Sequence, residues 1–320
     1  MLIQSVPTID ISPLLLSETN NEEAEECIAG ISNACREWGF FYIKNHSIPT
    51  ETIKSFRTNM DKFFKKSPQE SLYSINCNQQ NSRGYFDDEL TKEKLDWKRC
   101  FDFGAQDGSL DNEGLDGSNQ WPSKDEHPTF ERVMRQYFHQ MEHLSEILLG
   151  AICQSLQMNS DALKHNFDGN HTSYLRLNYY PRCPDPSSNL AIHHHTDAGA
   201  LTILYQDDGI TSLQVLRNDE WHFIPPREGT FLINIGDMIQ VWSNDEYKAP
   251  LHQVQANAEK ERFSAPFFYN PSYETDVKPL HVDDSDPRYK TLNWGDFRAK
   301  RFAGDFADLG EEIQISHFLI

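Results

Sequence analysis

From Ser173 onward the chain breaks into short apolar runs separated by turn residues. The runs Tyr174-Leu175-Arg176-Leu177-Asn178-Tyr179-Tyr180, Leu201-Thr202-Ile203-Leu204-Tyr205, Leu213-Gln214-Val215-Leu216 and Phe231-Leu232-Ile233-Asn234-Ile235 read as strands. Asp207-Asp208-Gly209 and Asn218-Asp219 supply turn chemistry between them. Strands at this regular spacing predict a barrel or sandwich of the jelly-roll type.

The preceding half follows a different period. Ala24, Cys27, Ile28, Ile31, Ala34, Cys35 and Trp38 recur at three- and four-residue spacing, which is one buried face of a helix. Gly39 ends that helix, and Phe40-Phe41-Tyr42-Ile43 follows as a short strand. Ile53, Phe56, Met60 and Phe63 mark a second helix. Phe130, Val133, Met134, Tyr137, Met141, Leu144 and Leu148 mark a longer one from about Thr129 to Leu156. The Asp, Gly and Ser residues between Gln106 and Asn119 predict an exposed loop, and Trp294 to about Phe306 reads as a terminal helix. No repeat or linker interrupts the chain. Residues 1–125 are expected to form an N-terminal α/β region, and residues 126–320 the long helix, the barrel and the last helix, packed together as one unit.

Acidic residues outnumber basic ones by 49 to 29, a net charge of −20. That field argues against nucleic acid and anionic membranes as partners. No apolar run approaches the ~20 residues a membrane span needs. Met1 to Pro7 lacks the charged-then-apolar pattern of a secretory signal. The six cysteines form no CxxC pair or regular framework, which fits reduced thiols and a cytoplasmic protein.

Chemistry concentrates at His193-His194-His195-Thr196-Asp197 and, far downstream, His252. Alternate strand residues share a face, so His195 and Asp197 can reach one ion from a single strand end. His194 points to the opposite face, and His193 shares the parity of His195 but lies further along the strand. Two imidazoles and one carboxylate leave three positions of an octahedral metal open, the arrangement of non-haem Fe(II) oxygen chemistry. A surface histidine run is the plainer alternative for the His-x-Asp pair alone. Arg262 and Ser264, ten and twelve residues beyond His252, add a group able to grip a dicarboxylic co-substrate.

These pieces, in this order, resemble the Fe(II)- and 2-oxoglutarate-dependent oxygenases of the isopenicillin N synthase-like family. The resemblance runs through Val6-Pro7-Thr8-Ile9-Asp10-Ile11, Trp38-Gly39-Phe40-Phe41, Asn45-His46, Arg83-Gly84-Tyr85, Leu175 to Pro181, His195 to Thr202, Asn234-Ile235-Gly236-Asp237 and Tyr247-Lys248. It departs around the second histidine, at Leu251-His252-Gln253, where the family often has serine before and arginine after. The resemblance implies a double-stranded β-helix core. It implies iron on His195, Asp197 and His252, and the far carboxylate of 2-oxoglutarate on Arg262 and Ser264, with Asn178 and Tyr180 nearby. It further implies dioxygen as oxidant, ascorbate to keep the iron ferrous, and release of succinate and carbon dioxide.

The expected reaction is oxidation of an unactivated C–H bond in a small metabolite, by hydroxylation, desaturation or ring closure, in secondary metabolism. Substrate contacts are expected from Tyr85 and Phe86 in a loop over the mouth, from Phe268 and Asn270, and from Phe302 and Phe306 on the last helix. Arg176 shares the strand face of Asn178. An inward arginine needs an anion, so a carboxylate-bearing, amino-acid-derived substrate is expected, acted on by a monomer. Two rivals stand beside this reading. One is a 2-oxoglutarate-independent oxidase of the isopenicillin N synthase or aminocyclopropane-carboxylate oxidase type. The other is a non-catalytic ligand-binding jelly roll; a zinc site on such a barrel is a third possibility.

Overall fold

Twelve strands and five helices carry the architecture of the computed structural model. It describes residues 5–15, 21–78, 80–91, 94–105, 117–187, 189–280, 286–307 and 313–320, with backbone alone at 21, 90, 91, 94 and 302–307. In chain order these elements begin with β1 (Thr8–Asp10), α1 (Asn21–Glu37), β2 (Phe40–Lys44), α2 (Thr50–Lys66), β3 (Gly84–Phe86), β4 (Arg99–Gly104) and α3 (Phe130–Ser155). They continue with β5 (Tyr174–Tyr180), β6 (Leu190–His195), β7 (Leu201–Gln206), β8 (Leu213–Arg217), β9 (Glu220–Phe223) and β10 (Phe231–Ile235). Helix α4 (Asp237–Trp242), β11 (His252–Gln255), β12 (Arg262–Tyr269) and α5 (Trp294–Ala307) complete the set.

The strands form an eight-stranded sheet in the order β1-β2-β10-β7-β12-β5-β4-β3 and a four-stranded sheet in the order β9-β8-β11-β6. Strands β5 to β12 divide between the two sheets, four in each, as in a jelly roll. The N-terminal strands extend the larger sheet on both sides, with β1 running parallel to β2 and β4 antiparallel to β5. Residues before 125 therefore share hydrogen bonds with the barrel.

The helical periodicities become buried faces. Helix α2 buries Phe56, Asn59, Met60, Phe63 and Phe64, and Phe56 stacks on Tyr137 of α3 at 3.7 Å between ring centroids. Helix α3 turns Phe130, Val133, Met134, Tyr137, Met141, Leu144 and Leu148 into the same core. A second apolar cluster, with Trp38, Phe40, Tyr42, Leu213, Val215 and Val254, fills the space beside the smaller sheet. Gly39 closes α1 in the left-handed region at φ 65°, and a Cβ there would stand 2.8 Å from the Lys248 carbonyl oxygen. Only glycine fits such a turn without strain.

Two local expectations change. The loop predicted from Gln106 to Asn119 lies outside the described residues as far as residue 116, and its last member is buried. Asn119 donates to the Gly104 carbonyl at 3.0 Å and accepts from the Gly104 N–H at 2.8 Å, ending β4. Tyr85 and Phe86 belong to strand β3, paired with Phe101 and Cys100, rather than to a covering loop. Among the described residues, no helix is long and apolar enough to cross a membrane.

Candidate metal centre

Strands β6 and β11 lie antiparallel in the smaller sheet, with His252 directly opposite His195. The two imidazoles sit side by side, their ring centroids 4.3 Å apart. Two residues beyond His195 the chain has left the strand, and Asp197 points back at both rings. Its Oδ1 lies 3.6 Å from His195 Nε2 and 3.6 Å from His252 Nε2. One ligand atom from each of the three falls within 4.8 Å of the others.

Hydrogen bonds on the far side of each ligand set which atom faces inward. The Nδ1–H of His195 donates to the His193 carbonyl at 2.8 Å, and that of His252 to the Pro250 carbonyl at 3.0 Å. Each Nε2 lone pair is thereby left for an ion. Asp197 Oδ2 accepts from Thr202 Oγ1 at 2.5 Å and Asn234 Nδ2 at 2.8 Å, which leaves Oδ1 for the same ion. Burial, with His252 alongside, holds the His195 imidazole at about 3, so it is neutral near pH 7. Burial works against ionisation of Asp197, but the two imidazoles, Asn234 and Thr202 outweigh it and hold the carboxyl below its usual range. The donor set fits a divalent iron and its rivals alike, with an open face toward the pocket.

The loop that carries Asp197 is tied to the start of α4. The Asp237 N–H donates to the Asp197 carbonyl at 2.8 Å, and the Gly236 N–H to the Ala200 carbonyl at 2.8 Å. A Cβ on Gly236 would stand 2.2 Å from the Gly199 carbonyl oxygen, so this approach demands glycine. Removing the donors to Oδ2 should loosen the centre. Thr202→Val with Asn234→Ala is expected to weaken metal affinity by about 10–100-fold. A competitive Co(II) titration measures it, and an unchanged dissociation constant would show that Asp197 needs no such support.

Deeper in the barrel, Arg262 opens β12 opposite Tyr180 of β5, and Ser264 pairs with Asn178. Arg262 is 2% exposed. Its Nη2 donates to Gln206 Oε1 at 2.9 Å, while Nε and Nη1 have no hydrogen-bond partner. Ser264 Oγ lies 3.3 Å from the Tyr180 hydroxyl and accepts from Asn178 Nδ2 at 3.4 Å. All four line the pocket that contains the histidines and Asp197. A buried guanidinium with two idle donors, beside a hydroxyl, suits an incoming carboxylate.

The sites expected to touch substrate divide. Arg176, Phe268 and Asn270 line the pocket, and Tyr85 and Phe86 do not. Phe302 and Phe306 lie on α5, but their side chains fall outside the described residues. The expected carboxylate partner for Arg176 needs correction, because two internal acids already supply it. Asp102 grips Nε and Nη2 at 2.9 and 2.8 Å, and Glu89 accepts from Nη1 at 2.7 Å. Glu89 also pairs with buried Lys98, whose Nζ lies 3.0 Å from Asp96 Oδ2. Burial disfavours the ionised Glu89, but Arg176 and Lys98 outweigh it and hold it at about 2. Burial pushes the Asp102 carboxyl up, while the Arg176 guanidinium, donating to both of its oxygens, works in the opposite direction.

Reading by motif did not single out Glu89, Lys98, Trp294, Arg298 or Arg301, all of which line the pocket. Arg301 donates to the Thr196 carbonyl between two ligands, at 3.1 Å. Strand parity could not find them, since they lie outside the barrel strands. His193 and His194 stand outside the cluster of His195, Asp197 and His252. His193 turns to Asp96, and the ring of His194 lies 6.5 Å from that of Trp221.

Two family models match the chain. One, described as the 2OG-Fe(II) oxygenase superfamily, covers residues 171–271. The other, described as non-haem dioxygenase in morphine synthesis N-terminal, covers residues 6–124. Jasmonate-induced oxygenase 2 of Arabidopsis thaliana is 33% identical over 92% of this chain and 78% of its own length. 1-aminocyclopropane-1-carboxylate oxidase 3 of the same plant is 31% identical over 93% of this chain and 88% of its own. Among solved structures, JOX2 in complex with 2OG, Fe and JA superposes with a TM-score of 0.79 at 32% identity, covering 92% of this chain and 84% of that one. The dioxygenase for auxin oxidation in rice gives 0.75 at 22% identity over 99% of this chain and 100% of that one, a likeness of fold.

Proposed function

The chain belongs to the 2OG-Fe(II) oxygenase superfamily, and from that premise we propose that it couples decarboxylation of 2-oxoglutarate to oxidation of a C–H bond in a small metabolite. The observation that carries this is the pairing of the triad with the two idle donors of Arg262 in one pocket. Iron, when bound, supplies dioxygen activation. The protein supplies everything else: the inward-facing Nε2 atoms of His195 and His252, the charge of Asp197 Oδ1, and a deep guanidinium that sets which end of the co-substrate enters first. Asn178 and Tyr180 orient the Ser264 hydroxyl toward the same carboxylate.

The pocket wall on the substrate side combines acids and bases. Arg176 and Lys98 are met by Glu89, Asp96 and Asp102. Such a wall offers paired donors and acceptors without a spare cation from Arg176. It therefore argues against Arg176 as the anchor of a substrate carboxylate; Arg298 and Arg301 also line this pocket and share in setting the charge it accepts.

Anaerobic Fe(II) followed by 2-oxoglutarate should produce a visible metal-to-ligand charge-transfer band, and succinate release across a panel of metabolites should then identify the substrate class. Iron-loaded protein that forms no band would instead favour the co-substrate-independent oxidase. Arg176→Leu gives a separate check on the wall. It takes the guanidinium from buried Asp102 and leaves Glu89 with Lys98 alone, so it is expected to lower unfolding stability by about 3–5 kcal/mol, read by denaturant titration. A variant of native stability with impaired affinity only for anionic substrates would restore the carboxylate-anchored reading.

A further inference from the structure

His195 and His252 are oriented by carbonyl oxygens two residues earlier in the chain, but those two carbonyls are not equally secured. Strand β11, which carries His252, lies inside the smaller sheet, between β8 and β6. Strand β6, which carries His193 and His195, is an edge strand of that sheet. An edge has backbone groups that no neighbouring strand holds. Here the segment before β4 covers it. The Trp97 N–H donates to the Leu190 carbonyl at 3.1 Å, at the start of β6. Asp96 Oδ1 accepts from the His193 backbone N–H at 3.2 Å and lies 3.0 Å from His193 Nδ1. The Asp96 side chain has no exposed surface, and its Oδ2 lies 3.0 Å from Lys98 Nζ.

We propose that Asp96 is a positioning residue for the metal centre, clamping His193 so that its carbonyl holds the ring of His195; this rests on the metal reading of the site. The clamp grips His193 at two points, main chain and ring, so the residue can neither slide along the edge nor rotate. The His193 carbonyl then fixes the His195 ring through Nδ1–H. The same contact has a second consequence. His193 lies on the strand face of His195, and Asp96 engages its ring, so a rival imidazole is turned away from the ion. The chain from Glu89 through Lys98 to Asp96 also ties this clamp to the pocket wall.

The test is an anaerobic Co(II) titration followed by the visible ligand-field bands, with thermal unfolding of each apo-protein alongside. Asp96→Ala is expected to weaken Co(II) binding about tenfold or more and to change the band envelope. Asp96→Asn keeps an oxygen for the His193 N–H and is expected to stay within about threefold of wild type, on the scale of a single retained hydrogen bond. If Asp96→Ala binds Co(II) as wild type does, or if the two variants are equally weak, the proposal is overturned. A chain that fails to fold as Asp96→Ala is answered by His193→Ala, which leaves the pair with Lys98 intact. There a several-fold loss at native thermal stability supports the clamp, and an unchanged affinity overturns it. Wild type that takes up no Co(II) overturns the metal reading and the proposal with it. Wild type that binds while the variants match it overturns the proposal alone.

Discussion

Asp197→Asn is expected to abolish iron-dependent turnover while leaving the fold intact. The carboxylate is the one anionic ligand of the three, and its Oδ1 stands 3.6 Å from each imidazole Nε2. Its other oxygen serves the protein, accepting from Thr202 and Asn234. An asparagine can keep its carbonyl oxygen on those two donors and turn its NH₂ toward the ion, where it cannot ligate. The loss of metal affinity should therefore exceed the ~10–100-fold that an outer partner is worth, with little change in the unfolding midpoint. Asp197→Ala differs in an informative way. It leaves two buried donors without an acceptor, at about 1–3 kcal/mol each, so it should lose stability as well as metal. Iron content after desalting and the apo unfolding midpoint separate the two effects. Stoichiometric iron and full succinate release in Asp197→Asn would remove Asp197 from the ligand set.

The parts of this site legible in the sequence are those governed by strand parity. Arg262 and Ser264 two apart, and Asn178 and Tyr180 two apart, each fall on one strand face, whereas β6 ends at His195 and Asp197 turns back toward it from beyond the strand. The period of two is a local property, so reading it needs no knowledge of what lies opposite. Parity also placed Arg176 correctly in the pocket, beside Asn178 in sequence. It could not reveal that Asp102 and Glu89, 74 and 87 residues earlier, already occupy its guanidinium. Those contacts depend on β4 lying beside β5, which is sheet order rather than local pattern. Tyr85 and Phe86 failed for the same reason. Residues just after a glycine look like loop until β4 is known to pair with them. Asn234, quoted within Asn-Ile-Gly-Asp, carried no visible role until β10 and the loop after β6 were brought together. The His-x-Asp motif thus gave the candidate ligands and strand parity the candidate clamp, while their supports came from tertiary adjacency.

Buried arginines at the two walls of one pocket lead to opposite expectations, and Arg262 is the sharper case. Its guanidinium is 2% exposed, yet only Nη2 is engaged, by Gln206. Nε and Nη1 are left without acceptors. A bound dicarboxylate would accept from both, and charge-assisted hydrogen bonds contribute about 1.5–3 kcal/mol each. Arg262→Ala should therefore weaken 2-oxoglutarate binding by roughly 3–6 kcal/mol, on the order of 10²–10⁴-fold. Iron binding should stay near wild type, since Arg262 takes no part in the triad. Arg262→Lys should recover only a fraction, because an ammonium cannot present the two parallel donors of the guanidinium fork. Stability supplies the contrast with Arg176. Removing Arg176 takes the guanidinium from buried Asp102 and leaves Glu89 with Lys98 alone, whereas removing Arg262 leaves only the Gln206 amide oxygen without its donor. Apo Arg262→Ala should consequently unfold near the wild-type midpoint while Arg176→Leu unfolds well below it. The charge-transfer band measures the first effect, appearing in Arg262→Ala only at far higher 2-oxoglutarate. A band that saturates at the wild-type concentration would mean that the carboxylate binds elsewhere and that the idle donors of Arg262 serve some other group.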